Sequence, residues 1–268
     1  MAESSFDATV KNSKRNKRKS AVIALICICL VVSAGLLYCM SELFFVKKIL
    51  IKNITEGSET VEFPYTDEEM LTGLGIKKGD ELYGFNTKEA QNSAVYNLAY
   101  IKEIKLSRRW PSTVVAKVEL ENAEFYVSVS GDLYILSENL KVLEKTSDAE
   151  KIEMYNLILL ETGKVDHCIV GEKLGVGDDV ADIIRDITKE LSEKSLLGNI
   201  SVIDVKDKFN IKLMYSSVYE VILGDSKSLK TKVDFMNRII ADRGENTAGG
   251  TIDVSDAEKR EAVYKKFS

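Results

Sequence analysis

Twenty consecutive residues without a charge, Ala21 to Met40 (AVIALICICLVVSAGLLYCM), constrain this chain more than any other feature. At a helical rise of ~1.5 Å per residue the run reaches about 30 Å, the hydrocarbon thickness of a bilayer. The run therefore predicts a transmembrane helix. Lys11, Lys14, Arg15, Lys17, Arg18 and Lys19 crowd its N-terminal side, while only Lys47 and Lys48 follow closely on the other. By the positive-inside rule the N-terminus stays in the cytoplasm and everything after Met40 lies outside. A cleaved signal peptide would have an apolar region of ~7–15 residues ending at a small-residue cleavage site. Ser33-Ala34-Gly35 is the nearest candidate for such a site, and the length of the run favours the anchor.

Composition narrows the external part. The net charge of the chain is -5, but residues 1–20 carry six Lys or Arg against Glu3 and Asp7, so residues 21–268 carry -9. An acidic external part argues against nucleic acid, because phosphate binding needs clustered positive charge. Cys27, Cys29 and Cys39 lie in the apolar run and only Cys168 lies beyond it, so no internal disulfide is available there. Apolar packing alone must hold the external domains. No CxxC pair or metal-ligand spacing occurs, and neither cofactor nor small-molecule substrate is expected.

The first external stretch reads as a compact α+β unit. Phe44 and Phe45 are expected at the membrane interface, and Lys48 to Ile54 as a strand closed by Glu56-Gly57. Thr66-Asp67-Glu68-Glu69 has the form of a capping box and predicts a short helix ended by Gly73 and Gly75. Asn86 and Glu89 start a second helix, carrying Ala90, Ala94, Val95 and Leu98. Tyr100 to Leu106 is a strand, and Arg109-Trp110-Pro111-Ser112 a connection in which Trp110 is expected to pack. From Thr113 to Leu120, Val114, Ala116, Val118 and Leu120 alternate with Thr113, Val115, Lys117 and Glu119, the period of a sheet with one wet face.

Beyond Leu120 the pattern changes to many strands and two helices. Phe125 to Ser130, Leu133 to Leu136 and Lys141 to Leu143 predict a meander, and Asn156 to Leu160 a buried run. A helix from Asp178 carries Val180, Ile183, Ile184, Ile187 and Leu191 and is stopped by Gly198. Strands follow over 200–205, 211–215 and 218–223. A second helix from Ser226 carries Leu229, Val233, Met236 and Ile240 and ends at Gly244, and Thr251 to Ser255 is again a strand.

These pieces, in this order, make the chain resemble the FtsQ/DivIB family of bacterial cell-division proteins over nearly its whole length. The resemblance rests on Phe45 to Ile54, on Thr66 to Leu82 and above all on Ile104 to Val115 (IKLSRRWPSTVV). It continues in Val221 to Asp225, the helix after it, and Thr251 to Val254. It implies an α+β architecture: a cytoplasmic tail (1–20), a transmembrane helix (21–40), a POTRA-type βααββ domain (44–120) and a mostly-β domain with two helices (121–268). It also implies a non-enzymatic bitopic scaffold at the division septum, whose partners are FtsB/DivIC-like and FtsL-like bitopic proteins.

The C-terminus is where local propensity and the resemblance disagree. Asp256 to Ala262 is rich in helix formers. The resemblance instead implies a final edge strand over Ala262, Val263, Tyr264, Lys265, Lys266 and Phe267. Such an edge can receive a partner segment by strand addition, with Tyr264 and the helix around Arg238 assisting.

Two other classes fit an anchored external protein: an envelope hydrolase or peptidase, and an envelope binding module unrelated to division. The first lacks a convincing acid, base and nucleophile. His167-Cys168 is the nearest candidate, but chain neighbours point apart and no orienting group is evident. Gly171 to Gly177 lacks the Gly-Lys-Ser/Thr ending of a phosphate loop. Asp178-Asp179 is accounted for by the positive end of the following helix.

Overall fold

The computed structural model describes residues 22–36, 38, 44–55, 63–243, 249–257 and 262–266. Several sequence expectations fall outside that set: the basic tail 1–20, Ala21 and Met40, Cys39, the close at Glu56-Gly57, the stop at Gly244, Phe267, and residues 258–261 of the C-terminal segment with helical propensity. Residues 22–36 form helix α1, all of its side chains exposed. Among the described residues, no helix is long and apolar enough to cross a membrane.

The chain is α+β. Strand β1 (Lys48–Asn53), helices α2 (Asp67–Gly73) and α3 (Thr87–Asn97), and strands β2 (Ile101–Arg109) and β3 (Thr113–Leu120) form the first unit. Its sheet has the order β1-β3-β2, with β1 parallel and β2 antiparallel to β3. The period-2 pattern is realised in β3, where Val114, Ala116, Val118 and Leu120 are buried. They pack with Met70 and Leu71 of α2 and Ala90 and Ala94 of α3. The capping box at α2 forms as its sequence requires. The Thr66 hydroxyl accepts the Glu69 N–H at 3.3 Å, and the Glu69 carboxylate accepts the Thr66 N–H at 2.8 Å. Those bonds hold the Glu69 carboxyl below its usual range. Gly75, at φ +68, turns the chain out of the helix.

The second unit is one nine-stranded sheet. It contains β4 (Ala123–Val129), β5 (Asp132–Ser137), β6 (Val142–Thr146), β7 (Ile158–Glu161), β8 (Ile200–Asp204), β9 (Ile211–Tyr215), β10 (Tyr219–Gly224), β11 (Gly250–Asp253) and β12 (Val263–Lys266). The spatial order is β12-β11-β10-β9-β8-β7-β4-β5-β6. Three neighbouring pairs are parallel, β4/β7, β7/β8 and β10/β11. Parallel neighbours need a long crossover, and the helices supply it. α4 (Ala149–Met154) lies between β6 and β7, α5 (Asp178–Glu193) between β7 and β8, and α6 (Leu229–Arg243) between β10 and β11.

The apolar faces of α5 and α6 cover one side of the sheet. Ile184, Ile187 and Leu191 of α5 and Val233, Met236 and Ile240 of α6 join Phe125, Leu160, Ile203, Leu213 and Val221 in the main core. On the other side Ile135, Leu143 and Leu157 make a small cluster that reaches Tyr100 of the first unit.

Three local expectations are corrected. This unit has three α-helices rather than two, because α4 buries no residue and so leaves no apolar period in the sequence. Asp148 nonetheless caps it, accepting N–H groups of Glu150 and Lys151. Helix α5 ends at Glu193, before Ser195 at φ +57, rather than at Gly198, which lies in a 3-10 turn. Trp110 does not pack into a core. It sits at the tip of the β2–β3 connection, 63% exposed, and touches Phe44 edge-on.

Candidate partner-binding edge

Strand β12 is the last strand on its side of the sheet, and among the described residues no strand lies beyond it. It runs antiparallel to β11, with Gly250 opposite Lys266, Thr251 opposite Lys265, Ile252 opposite Tyr264 and Asp253 opposite Val263. The pleat separates its side chains as alternation demands. Ala262 and Tyr264 pack against the main core, while Val263, Lys265 and Lys266 are exposed.

Three features seat this short strand. The Tyr264 ring meets Tyr219 edge-on at 6.5 Å, and the Arg243 guanidinium lies 3.3 Å from its centroid on α6. Gly250 lets the two backbones close up. A Cβ there would come within 2.5 Å of the Lys265 carbonyl oxygen and 2.6 Å of the Tyr264 ring.

Arg243, rather than Arg238, is thus the α6 cation brought to β12. Arg238 is exposed and lies 6.0 Å from the Phe235 ring on its own helix. The sequence held the signal, because Leu229, Val233, Met236, Ile240 and Arg243 recur at spacings of four and three and so share a face. Arg238 falls off that face. The base of α6 is fixed by a buried cation. Lys232, 1% exposed, donates to the Asp225 carboxylate and carbonyl, both at 2.8 Å, and holds the Asp225 carboxyl below its usual range.

The opposite edge of the sheet is covered at the start of β6. The loop after Cys168 crosses β6, with the Val142 N–H donating to the Glu172 carbonyl and the Gly171 N–H to the Val142 carbonyl, both at 2.8 Å. That end of β6 resists an added strand, whereas no such cover lies along β12 among the described residues.

The remaining candidates assemble no chemistry. His167 is exposed and Cys168 half-buried against the main core, where burial pushes its thiol up, the opposite of what a nucleophile needs. Asp179 pairs with Lys208 at 2.9 Å, and no cluster of three metal-ligating side chains occurs among the described residues. A cleft of about 850 Å³ separates the two units, lined in part by Tyr65, Tyr96, Tyr100, Glu144, Lys151 and Tyr155. Burial first, then Glu144, raises the Tyr100 hydroxyl and keeps it protonated.

No family model matches the chain. The cell division protein DivIB of Clostridium botulinum strain Hall is 26% identical over 255 residues, 94% of this chain and 93% of that protein. DivIB of Clostridium tetani is 22% identical over 62% of each chain. FtsQ of Rickettsia bellii is 31% identical over 97 residues, 33% of this chain and 34% of that one. A solved structure of the major extracytoplasmic domain of DivIB from Geobacillus stearothermophilus is 22% identical, covers 47% of this chain and 97% of that domain, and has a TM-score of 0.29, too low to add to the assignment. The class is that of bacterial cell-division proteins. Within it, the chain is similar to proteins of the FtsQ/DivIB family over nearly its whole length.

Proposed function

We propose that this chain is a non-enzymatic, bitopic scaffold of the division machinery, which holds an FtsB/DivIC-like partner, and through it an FtsL-like one, during septum formation. In this reading residues 1–20 lie in the cytoplasm and 21–40 cross the membrane. Residues 44–120 form a POTRA-type domain and 121–268 the partner-binding domain, both outside.

The observation that supports the reading is β12, an edge strand beyond which no strand lies among the described residues. Its outer side offers backbone pairing to an extended segment, with Val263 and Lys265 projecting on one face. Lys265 and Lys266 discourage self-pairing and favour an acidic guest. Tyr264, seated between Tyr219 and Arg243, anchors the strand to the core.

Co-purification of the full chain from membranes, with identification of what comes down, tests the reading. Small bitopic division proteins are expected with the intact chain and not after removal of residues 262–268. Undiminished recovery after that truncation would sink the assignment of the edge. A fluorescent fusion should gather at the septum, and a uniform peripheral signal would contradict the division role.

A further inference from the structure

The first unit carries an aromatic face that its own fold leaves uncovered. Phe44 meets Tyr83 edge-on at 5.9 Å and Trp110 at 6.0 Å, yet Tyr83 is 61% exposed and Trp110 63% exposed. The three rings come from separate parts of the chain and are held in place. The Phe44 carbonyl accepts the Leu82 N–H at 2.6 Å, which ties the segment following the apolar run to the 82–85 loop. Arg108 clamps that loop, donating to the carbonyls of Leu82 and Phe85 at 2.6 Å while its guanidinium lies over the Tyr83 and Phe85 rings. Two exposed rings set on half-buried Phe44, on a braced platform, call for an apolar or amphipathic neighbour.

Chain length says which neighbour. Only residues 41–43 separate Met40, the end of the uncharged run, from Phe44. Four Cα steps span at most about 14 Å. The headgroup layer on one side of a bilayer is itself roughly 5–8 Å deep. If 21–40 crosses the membrane, this face cannot move far from the interface, the depth at which tryptophan and tyrosine concentrate.

Charge agrees. Lys47 and Lys48 follow Phe45 and buried Val46 and are exposed. Lys77 and Lys78 flank the turn whose Asp80 carbonyl accepts the Val46 N–H at 2.8 Å. Arg108 and Arg109 precede Trp110, and the nearby acids are Asp80, Glu81 and Glu68, the last paired with Lys78 at 3.9 Å. Of the Asp80 carboxylate oxygens, one already accepts the Lys77 N–H at 2.7 Å. Residues 21–268 carry -9 in all, so this end is a local basic exception, suited to lipid phosphates.

We propose that Phe44, Tyr83 and Trp110, framed by these lysines and arginines, form a lipid-docking face that seats the first unit on the outer surface of the bilayer. The inference rests on the reading of 21–40 as a span. Docking fixes the tilt of the external domains and, with it, the distance at which β12 is offered.

Trp110 is the only tryptophan in the chain, so its fluorescence reports this face alone. The full chain is reconstituted into phosphatidylcholine/phosphatidylglycerol vesicles containing lipid brominated close to the headgroup end of the acyl chain, and recovered by flotation. The expected result is a blue-shifted emission quenched by the bromolipid, with quenching lost in a Tyr83→Ser/Phe44→Ser double variant of unchanged far-UV circular dichroism. A wild-type protein that floats with the vesicles while Trp110 emits as in water, unquenched, overturns the docking face and leaves the anchor standing. A protein that does not float overturns the anchor and the docking face together.

Discussion

Replacing Gly250 by alanine should unseat β12 and spare the rest of the fold. Gly250 does not occupy the left-handed region, so alanine meets no backbone penalty there. The conflict is steric: the new methyl would lie 2.5 Å from the Lys265 carbonyl oxygen and 2.6 Å from the Tyr264 ring. Overpacking of this kind costs about 1–3 kcal/mol. Against it stands a strand of four register pairs, with Val263 63% exposed and one ring stacked between Arg243 and Tyr219. That ring contributes roughly 0.5–1 kcal/mol through the cation and about 0.5–1.5 kcal/mol through the aromatic pair. The two sides are of the same size, so the strand should open locally. At 1.4 kcal/mol per factor of ten, hydrogen exchange over residues 263–266 should accelerate about 5- to 150-fold. Exchange in β8 to β10 should stay unchanged, because α5 and α6 hold those strands from the other side. Unaltered exchange over 263–266 in Gly250→Ala would refute the close-approach argument.

Further outcomes follow from other sites. Thr66→Ala removes the cap of α2 and should lower the stability of the first unit by about 1 kcal/mol in urea unfolding, with faster exchange at the Glu69 amide. Asp225→Asn weakens the partner of buried Lys232 and should destabilise the second unit by roughly 1–3 kcal/mol near neutral pH. Because the Asp225 carboxyl is held below its unfolded value, its contribution is present above about pH 4 and lost as pH falls through the lowered value. The gap between wild type and Asp225→Asn should therefore close in acid, and a gap independent of pH would count against the ion pair. With Cys27, Cys29 and Cys39 replaced, Cys168 should react in intact cells with a membrane-impermeant maleimide, faster as pH rises because burial raises its thiol. Protection until lysis, with reaction in unfolded controls, would contradict the outside location.

Much of the fold was legible because its signals are local. The capping box at Thr66, the alternation in β3 and the apolar stripes of α5 and α6 each report a surface that has to be buried, and each element forms where its pattern lies. Elements without such a surface were not legible. Helix α4 buries nothing, and its Asp148 cap alone is a weak signal beside an absent period. Trp110 illustrates the converse: a large apolar side chain suggests packing, but its place at a connection tip, not its type, decides its exposure.

The candidate site was legible in part. Alternation over 262–266 set Val263 and Lys265 on one face and Ala262, Tyr264 and Lys266 on the other without telling which is inward; in the strand Ala262 and Tyr264 pack against the core and the other three are exposed. The sequence reading named this helix by Arg238; the four-three spacing of Val233, Met236 and Ile240 runs on to Arg243, the cation that lies against Tyr264. That β12 is an edge, and that the loop after Cys168 covers the start of the other edge strand, depends on pairings between residues far apart in sequence, which no local pattern encodes.

The most direct test of the central claim is a photo-crosslinking amino acid placed at Val263 in living, dividing cells, with a second chain carrying it at Lys145 on the opposite edge strand. Val263 projects from the open edge and Lys145 from β6, so both substitutions are tolerated by the fold. The scaffold reading expects a crosslink from position 263 to a small bitopic division protein and none to that protein from position 145. A partner captured at 145 and not at 263 would contradict it.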